Sequence, residues 1–124
     1  MLVDERTYRI APGCLERYLA WHVVHALPLM REHLGEPLAY FTGADGEPDT
    51  FVHLWGYVDA ADREARRACL YADPRWLAYR RATGEQGWVV GQHCRLVTRV
   101  GGVGRGLVPL AGDDGALPRE RTAR

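Results

Sequence analysis

One stretch of the chain decides its fold, Phe51-Val52-His53-Leu54-Trp55-Gly56-Tyr57-Val58. Because side chains along a β-strand alternate between its two faces, an aromatic and hydrogen-bonding face lies opposite an aliphatic one. Neither face suits water, so the stretch predicts a strand in a sheet that is covered on both sides. The pattern changes to a helical period at Asp59, which places a helix directly after this strand.

The segments on either side of this strand alternate between strand and helix patterns. Charged residues on both faces of the first strand predict either an edge position or polar groups that face a site. The predicted strands are Leu2–Ile10, Leu38–Gly43, Thr50–Val58 and Trp88–Val97. The first helix is predicted at Cys14–Leu27, where Pro28 interrupts it, and it continues to Leu34. A second helix is predicted to run to Ala72, with Asp59 as N-cap and Asp62 as a variant capping box, and a short helix is predicted to start at Asp73-Pro74.

The order β-α-β-β-α-β predicts an α+β fold of the ferredoxin-like type, with helices on one face of a four-stranded antiparallel sheet. The other face would leave a large apolar patch in water, so a second copy is expected to cover it and form a homodimer. Residues 1–100 are predicted to form this domain. Residues 101–124 are predicted to be a Gly-rich flexible tail, in which Leu107–Leu110 is a candidate edge strand on a partner.

Composition excludes several classes of function. The 124 residues carry no formal net charge and include no Ser, Lys or Asn. The absence of Ser and Lys excludes serine hydrolases, lysine Schiff-base chemistry and the P-loop. The charge pattern favours neither nucleic acid nor a membrane as partner, and the chain is expected to be cytoplasmic. Cys14, Cys69 and Cys94 are far apart and are expected to be free thiols.

Several motifs resemble the NIPSNAP family of the dimeric α/β-barrel superfamily over about residues 1–100. They are Glu5-Arg6-Thr7-Tyr8-Arg9-Ile10-Ala11-Pro12-Gly13, Val52-His53-Leu54-Trp55, Ala61-Asp62-Arg63-Glu64-Ala65-Arg66-Arg67 and Ala72-Asp73-Pro74-Arg75-Trp76. The resemblance implies a dimeric barrel with a site between the sheet and the helices of one subunit. The superfamily includes cofactor-free monooxygenases, isomerases and cyclases, so the resemblance does not select a reaction.

The polar and aromatic residues of the strands and of the first helix supply the candidate site. His53, between Phe51 and Trp55 on one face, is the candidate acid/base, and Arg6 is the candidate group for a carboxylate or an oxyanion. Structural alternatives are a hydrogen-bonded core histidine and an Arg6 that pairs with Asp4 or Glu5. The predicted substrate-binding residues are Tyr8, His22, Trp55, Tyr57 and Gln92.

No metal and no cofactor are predicted. The alternative is a three-His metal site, in which His22 and His25, three residues apart on one helix, join His53. Heme-degrading members of the superfamily take an axial His from the second helix, but Ala60–Ala72 contains none. His33 is interpreted as a surface residue near a helix end. The arginines of the second helix are interpreted as a solvated face that pairs with Glu64 and Asp62, namely Arg63, Arg66 and Arg67.

The leading hypothesis is a small dimeric, metal-free tailoring enzyme of the oxygenase, cyclase or isomerase type. An aromatic substrate is expected because the strand face combines aromatic and polar groups, and the resemblance implies as an alternative a polyketide-like molecule of a biosynthetic pathway. The rival hypothesis is a non-catalytic dimeric binding or partner protein, in which His53 and its aromatic neighbours serve packing alone.

Overall fold

A computed structural model describes residues 1–104 of the chain, and the predicted tail from residue 105 onward, with its candidate edge strand at Leu107–Leu110, lies outside the described residues. The elements in chain order are β1 (Leu2–Ile10), α1 (Leu15–His25), α2 (Leu27–Leu34), β2 (Ala39–Thr42), β3 (Thr50–Tyr57), α3 (Ala60–Ala72), α4 (Pro74–Gln86) and β4 (Val89–Thr98). Within the described residues, four helices and one four-stranded antiparallel sheet confirm the predicted α+β ferredoxin-like fold. None of the helices within residues 1–104 combines the length and the hydropathy that a membrane crossing requires.

The strand order is β2-β3-β1-β4, so β1 lies in the middle of the sheet. The prediction of an edge position for β1 is therefore wrong, and the alternative, polar groups that face a site, fits the structure. Directly opposite residues share a face of the sheet. The pairings Asp4–Trp55 and Arg6–His53 thus place the polar residues of β1 beside the aromatic face of β3.

Side chains near the ends of the helices explain where the helices begin. Pro28 lies in the first turn of α2, where its missing N–H costs no hydrogen bond. The helix that the sequence predicts to be interrupted at Pro28 is therefore two separate helices, α1 and α2. Asp59 caps α3 by accepting from the Asp62 N–H (2.8 Å), and Asp62 in turn accepts from the Val58 N–H (2.9 Å). The Asp59 cap is thus confirmed, and the return bond of Asp62 reaches one residue ahead of the cap.

The helix that was predicted to be short is as long as α3. Asp73 caps α4 through the Arg75 N–H at 2.9 Å, Pro74 occupies its first turn, and Gly87 ends it in a left-handed conformation (φ 69°). A hydrogen bond from Trp21 Nε1 to Thr83 Oγ1 (2.9 Å) joins α4 to α1. Helix α4 therefore lies over the face of the sheet that the helices cover.

The core lies between the helices and the aromatic face of β3. Phe51 packs with Tyr18 and Ile10, whereas Trp55 and Tyr57 pack with residues of α2, α3 and α4. Residues 1–104 leave the opposite face of the sheet without a covering layer. It is apolar on the β2–β3 side, where Val52 and Leu54 are half-buried, and polar on the β1–β4 side, where Glu5 pairs with Arg95.

Candidate functional site

A cavity of about 300 Å³ lies between the helix-covered face of the sheet and α4. Its floor comes from β1 and β4, and its walls come from α1, α2, α3 and α4. The aromatic residues that border it are Tyr8, Tyr18, Tyr71, Trp76 and Tyr79, and the basic residues that border it are Arg6, Arg67 and Arg80. This mixture of flat aromatic surface and fixed cations is typical of a small-molecule site.

A buried carboxylate organises one wall of the cavity. Asp4 is fully buried and receives three charged or polar donors: Arg63 Nε at 3.0 Å, Arg6 Nη1 at 3.2 Å and Cys94 Sγ at 3.0 Å. Burial acts to raise the pKa of Asp4, but the hydrogen bond from Cys94 and the two guanidinium groups outweigh it and hold this pKa below its ordinary value. Asp4 is therefore an ionised anchor for the arginines.

Arg67 is the second basic residue at this wall, and it is buried (6% exposed). Its Nε donates to the Tyr71 hydroxyl at 3.1 Å, and its Nη1 lies 3.9 Å from the Asp4 carboxylate. Burial and the nearby charge of Arg6 both act to lower the pKa of Arg67, whereas Tyr71 and Tyr57 raise it, and the net shift is upward. A permanent cation thus sits in a largely dry environment beside the cavity.

The structure divides the predicted site residues into two groups. Arg6, Tyr8 and Gln92 border the cavity, as expected for residues on the helix side of β1 and β4. The remaining four are buried in the core and do not border it, namely His22, His53, Trp55 and Tyr57. The strand face that predicted a site thus serves mainly as core, and the cavity lies to one side of it.

His53 is fully buried in an aromatic surround. Its ring stacks on Phe51 (centroids 4.6 Å apart) and lies edge-on to Tyr8 (4.9 Å). Trp55 Nε1 donates to His53 Nδ1 at 2.7 Å, so the proton of the neutral ring is on Nε2, which has no partner among the described residues. Burial, reinforced by the charges of His22, Arg6 and Arg67, lowers the pKa of His53 to about 2. The ring is neutral, as predicted, but it is a much weaker base than an ordinary histidine.

His22 takes part in a tyrosine network rather than a metal site. Its Nε2 lies 2.8 Å from the Tyr40 hydroxyl, and its Nδ1 lies 3.4 Å from the Tyr18 hydroxyl. Burial lowers its pKa to about 4. His25 is exposed and packs against Trp21 (4.3 Å), so the structure does not bring it to His22 and His53.

Sequence analysis missed Arg67 as a site residue. Arg66 pairs with Asp62 (2.8 Å) on the solvated face, as predicted, but Arg63 and Arg67 turn inward, so the prediction of one solvated arginine face is wrong for these two. The signal was present, because Arg63, Arg67 and the buried Leu70 follow the i, i+4, i+7 spacing of a single helix face.

A second group of ionisable residues lies outside the cavity, where α2 meets the start of α4. Ligand atoms of Glu32, His33 and Asp73 lie within 4.8 Å of one another. Arg75 donates to Glu32 (3.1 Å) and to Asp73 (2.6 Å), and His33 pairs with Asp73 at 2.9 Å. The cluster thus contains its own cation and joins the two helices. His33, interpreted as a surface residue, is half-buried in it.

Comparisons with known proteins agree with the fold and the sequence motifs. A NIPSNAP-like domain protein from Burkholderia xenovorans is 31% identical over 88% of this chain and 92% of its own, with a TM-score of 0.77. A NIPSNAP family protein with unknown function from Agrobacterium tumefaciens is 31% identical over 78% of this chain and 86% of its own, with a TM-score of 0.71. Curated protein sequences gave no match.

A more distant likeness extends to an antibiotic biosynthesis monooxygenase, which is 19% identical over 81% of this chain and 99% of its own, with a TM-score of 0.55. At this identity the likeness concerns the fold alone. The NIPSNAP family model, by contrast, matches residues 3–101, which is nearly the whole described part of the chain. The chain therefore belongs to the NIPSNAP family.

Proposed function

We propose that this protein binds a small aromatic or polyketide-like molecule in the cavity beneath α4 and acts on it as a metal-free tailoring enzyme of the oxygenase, cyclase or isomerase type. The observation that carries the proposal is the cavity itself, which has a volume of about 300 Å³ and joins five aromatic side chains to three arginines. A pocket of this size accommodates a ring system of two or three fused rings.

The side chains at the cavity support chemistry without a metal. Among the described residues that border it, the polar groups are guanidinium, phenol, hydroxyl, indole and amide groups, and there is no carboxylate, imidazole or thiol. The missing groups are the usual metal ligands. In the proposed reaction, Arg6 stabilises negative charge on an oxygen of the substrate, and Tyr8 and Gln92 orient it. The fold shared with an antibiotic biosynthesis monooxygenase is compatible with this chemistry.

A second candidate function is a non-catalytic binding protein. The observation that favours it is the position of His53, which is fully buried, holds the indole of Trp55 and does not border the cavity. Because His53 is enclosed in the core, no described residue that borders the cavity has a side chain whose ordinary pKa lies near neutral pH. A substrate that reacts here must therefore arrive already ionised, or be bound and released unchanged.

The proposal includes a homodimer in the cytoplasm. The uncovered sheet face carries apolar residues on β2 and β3, including Phe41, which is 53% exposed. Burying such a face against a second copy removes it from water. The three free cysteines fit a reducing compartment.

The proposal is tested by incubating the purified protein under air with phenolic and polyketide-derived aromatic compounds and analysing products by mass spectrometry. Conversion of one of them is expected, and Arg6→Gln is expected to reduce turnover about 10²-fold, because a developing oxyanion loses its fixed cation. Arg9→Gln, on the same strand but on the opposite face, is the matched control and is expected to retain turnover. Tight binding without any product would favour the second candidate, and the absence of binding would contradict both.

A further inference from the structure

The cavity wall is rich in hydrogen-bond donors that have no acceptor. Three buried nitrogens of residues that border the cavity lack a hydrogen-bond partner within residues 1–104: Arg6 Nε, Arg67 Nη1 and Trp76 Nε1. Guanidinium and indole N–H groups donate and do not accept. Because a buried donor without a partner is costly, an acceptor at this wall would stabilise the protein.

The charges at the same wall are not balanced. Arg6, Arg63 and Arg67 all lie within 4.0 Å of the single carboxylate of Asp4, so three positive charges face one negative charge and two remain in excess. Two further carboxylates of β1 and α3 do not offset this excess, since Asp62 pairs with Arg66 and Glu5 pairs with Arg95. Like charges in a dry environment repel strongly, and an anion between them relieves the repulsion.

From this arrangement we infer that the cavity binds an aromatic carboxylate, with the carboxylate at Arg6 and Arg67 and the ring between the aromatic side chains. The inference rests on the proposed function and narrows its ligand to one chemical class. It assigns to Arg67 a binding role that complements that of Arg6.

A carboxylate fits this wall better than a neutral oxygen does. It has two oxygens and about four acceptor sites, so it can satisfy donors of both guanidinium groups, and charge-assisted bonds of this kind are about twice as strong as neutral ones. The ring of the same molecule would lie against Tyr79 and Trp76, whose centroids are 5.0 Å apart. The Trp76 N–H, which has no acceptor, would gain one from an oxygen of the ligand.

Isothermal titration calorimetry of the full chain at neutral pH, with 2-naphthoate and 2-naphthamide as probes, tests the inference. The two probes have nearly the same shape and differ in charge. The acid is expected to bind about 10- to 100-fold more tightly than the amide. Equal affinities would overturn the inference but leave the proposed aromatic pocket standing. If neither probe bound, both the inference and the pocket would be contradicted.

Substitutions at α3 locate the interaction. Arg67→Gln is expected to remove most of the preference for the acid and to leave the affinity for the amide within about twofold, because only the charged contact is lost. Arg66→Gln, on the neighbouring solvated position, is the matched control and is expected to retain the preference. Trp76→Phe keeps an aromatic side chain and removes one donor, and it is expected to weaken binding of the acid more than binding of the amide, because the bond from the indole N–H to a carboxylate is charge-assisted. If Arg67→Gln does not fold, the comparison of acid and amide on the unaltered chain and on Trp76→Phe still decides the outcome, and an unchanged preference in Trp76→Phe would remove the indole from the site.

Discussion

The two buried histidines show how surroundings decide the chemistry of a residue. His53 and His22 are the groups that an acid/base mechanism would select first, since an ordinary imidazole titrates near neutral pH. In the folded protein each is enclosed by aromatic rings and hydrogen-bonded to a neighbour, Trp55 for His53 and Tyr40 for His22. Both pKa values fall because burial penalises the charged ring. The acid/base role of His53 stays a prediction.

The depressed pKa of His22 predicts a loss of stability in acid. The unfolded chain binds a proton at this residue near its ordinary value of 6.5, whereas the folded chain binds it only near 4. Protonation of His22 therefore favours unfolding. The contribution of neutral His22 to the free energy of unfolding is complete above pH 6.5, and it is lost as the pH falls from 6.5 toward 4, by on the order of 3 kcal/mol. His53 acts in the same direction.

Urea unfolding measured at several pH values checks this expectation. His22→Gln, which does not titrate, is expected to show a shallower fall in the free energy of unfolding over this range. The difference between the two proteins should thus change with pH and level off in neutral solution. A difference that is constant with pH would show that His22 is not the titrating group.

At the scale of the elements, α3 has two opposite tasks. Its inner face brings Arg63 and Arg67 to Asp4, and its outer face leaves Arg66 in solvent beside Asp62. The first turn fixes which residues face inward, since Asp59 and Asp62 together determine where the helix starts. A shift of this start would move both inner arginines away from the cavity wall.

Loss of the α3 cap is expected to weaken the site as well as the fold. Asp59→Ala removes the acceptor for the Asp62 N–H and should reduce the free energy of unfolding by about 1 kcal/mol. Because α3 carries Arg67, the affinity for 2-naphthoate should fall too. Thermal unfolding and calorimetry measure the two effects. Asp59→Asn keeps a good capping side chain and serves as the control, and an equal loss in both variants would argue against the cap.

At the scale of the whole molecule, the sheet face opposite the helices is the surface that residues 1–104 leave uncovered. Its β1–β4 half is polar, with Glu5 and Arg95 paired at 2.6 Å, while its β2–β3 half presents Val52, Leu54 and Phe41. Such a division suits a symmetric interface, in which an apolar centre is bordered by polar groups. The homodimer therefore stays part of the proposal.

Substitution on this face tests the dimer. Leu54→Arg places a charge within the apolar half and is expected to shift the protein to a monomer, because burying an unpaired charge in an interface is costly. Light scattering after size-exclusion chromatography measures the mass directly. Leu77→Arg introduces the same charge on the exposed side of α4 and should leave the mass unchanged. A monomeric mass for the unaltered chain would contradict the dimer.

The order of elements was predictable because each has a local cause in the sequence. Period-two alternation marks β3, the Asp59 cap marks α3, and Pro28 with Gly35 marks the limits of α2. Of the predicted site residues, Arg6, Tyr8 and Gln92 border the cavity, and their roles in binding or catalysis stay predictions. Strand alternation places Gln92 and His93 on opposite faces, and the structure puts Gln92 at the cavity.

The sequence by itself thus determined the fold type, the family and which residues share a face. Only the tertiary structure decided which residues border the cavity. Because α4 covers one side of the sheet, Arg67, Trp76 and Tyr79 border the cavity. His53 and Trp55 are enclosed in the core. The physical reason is that alternation and capping act over a few neighbouring residues. Burial, pKa and the balance of charge around Asp4 depend on groups up to 90 positions apart in the chain.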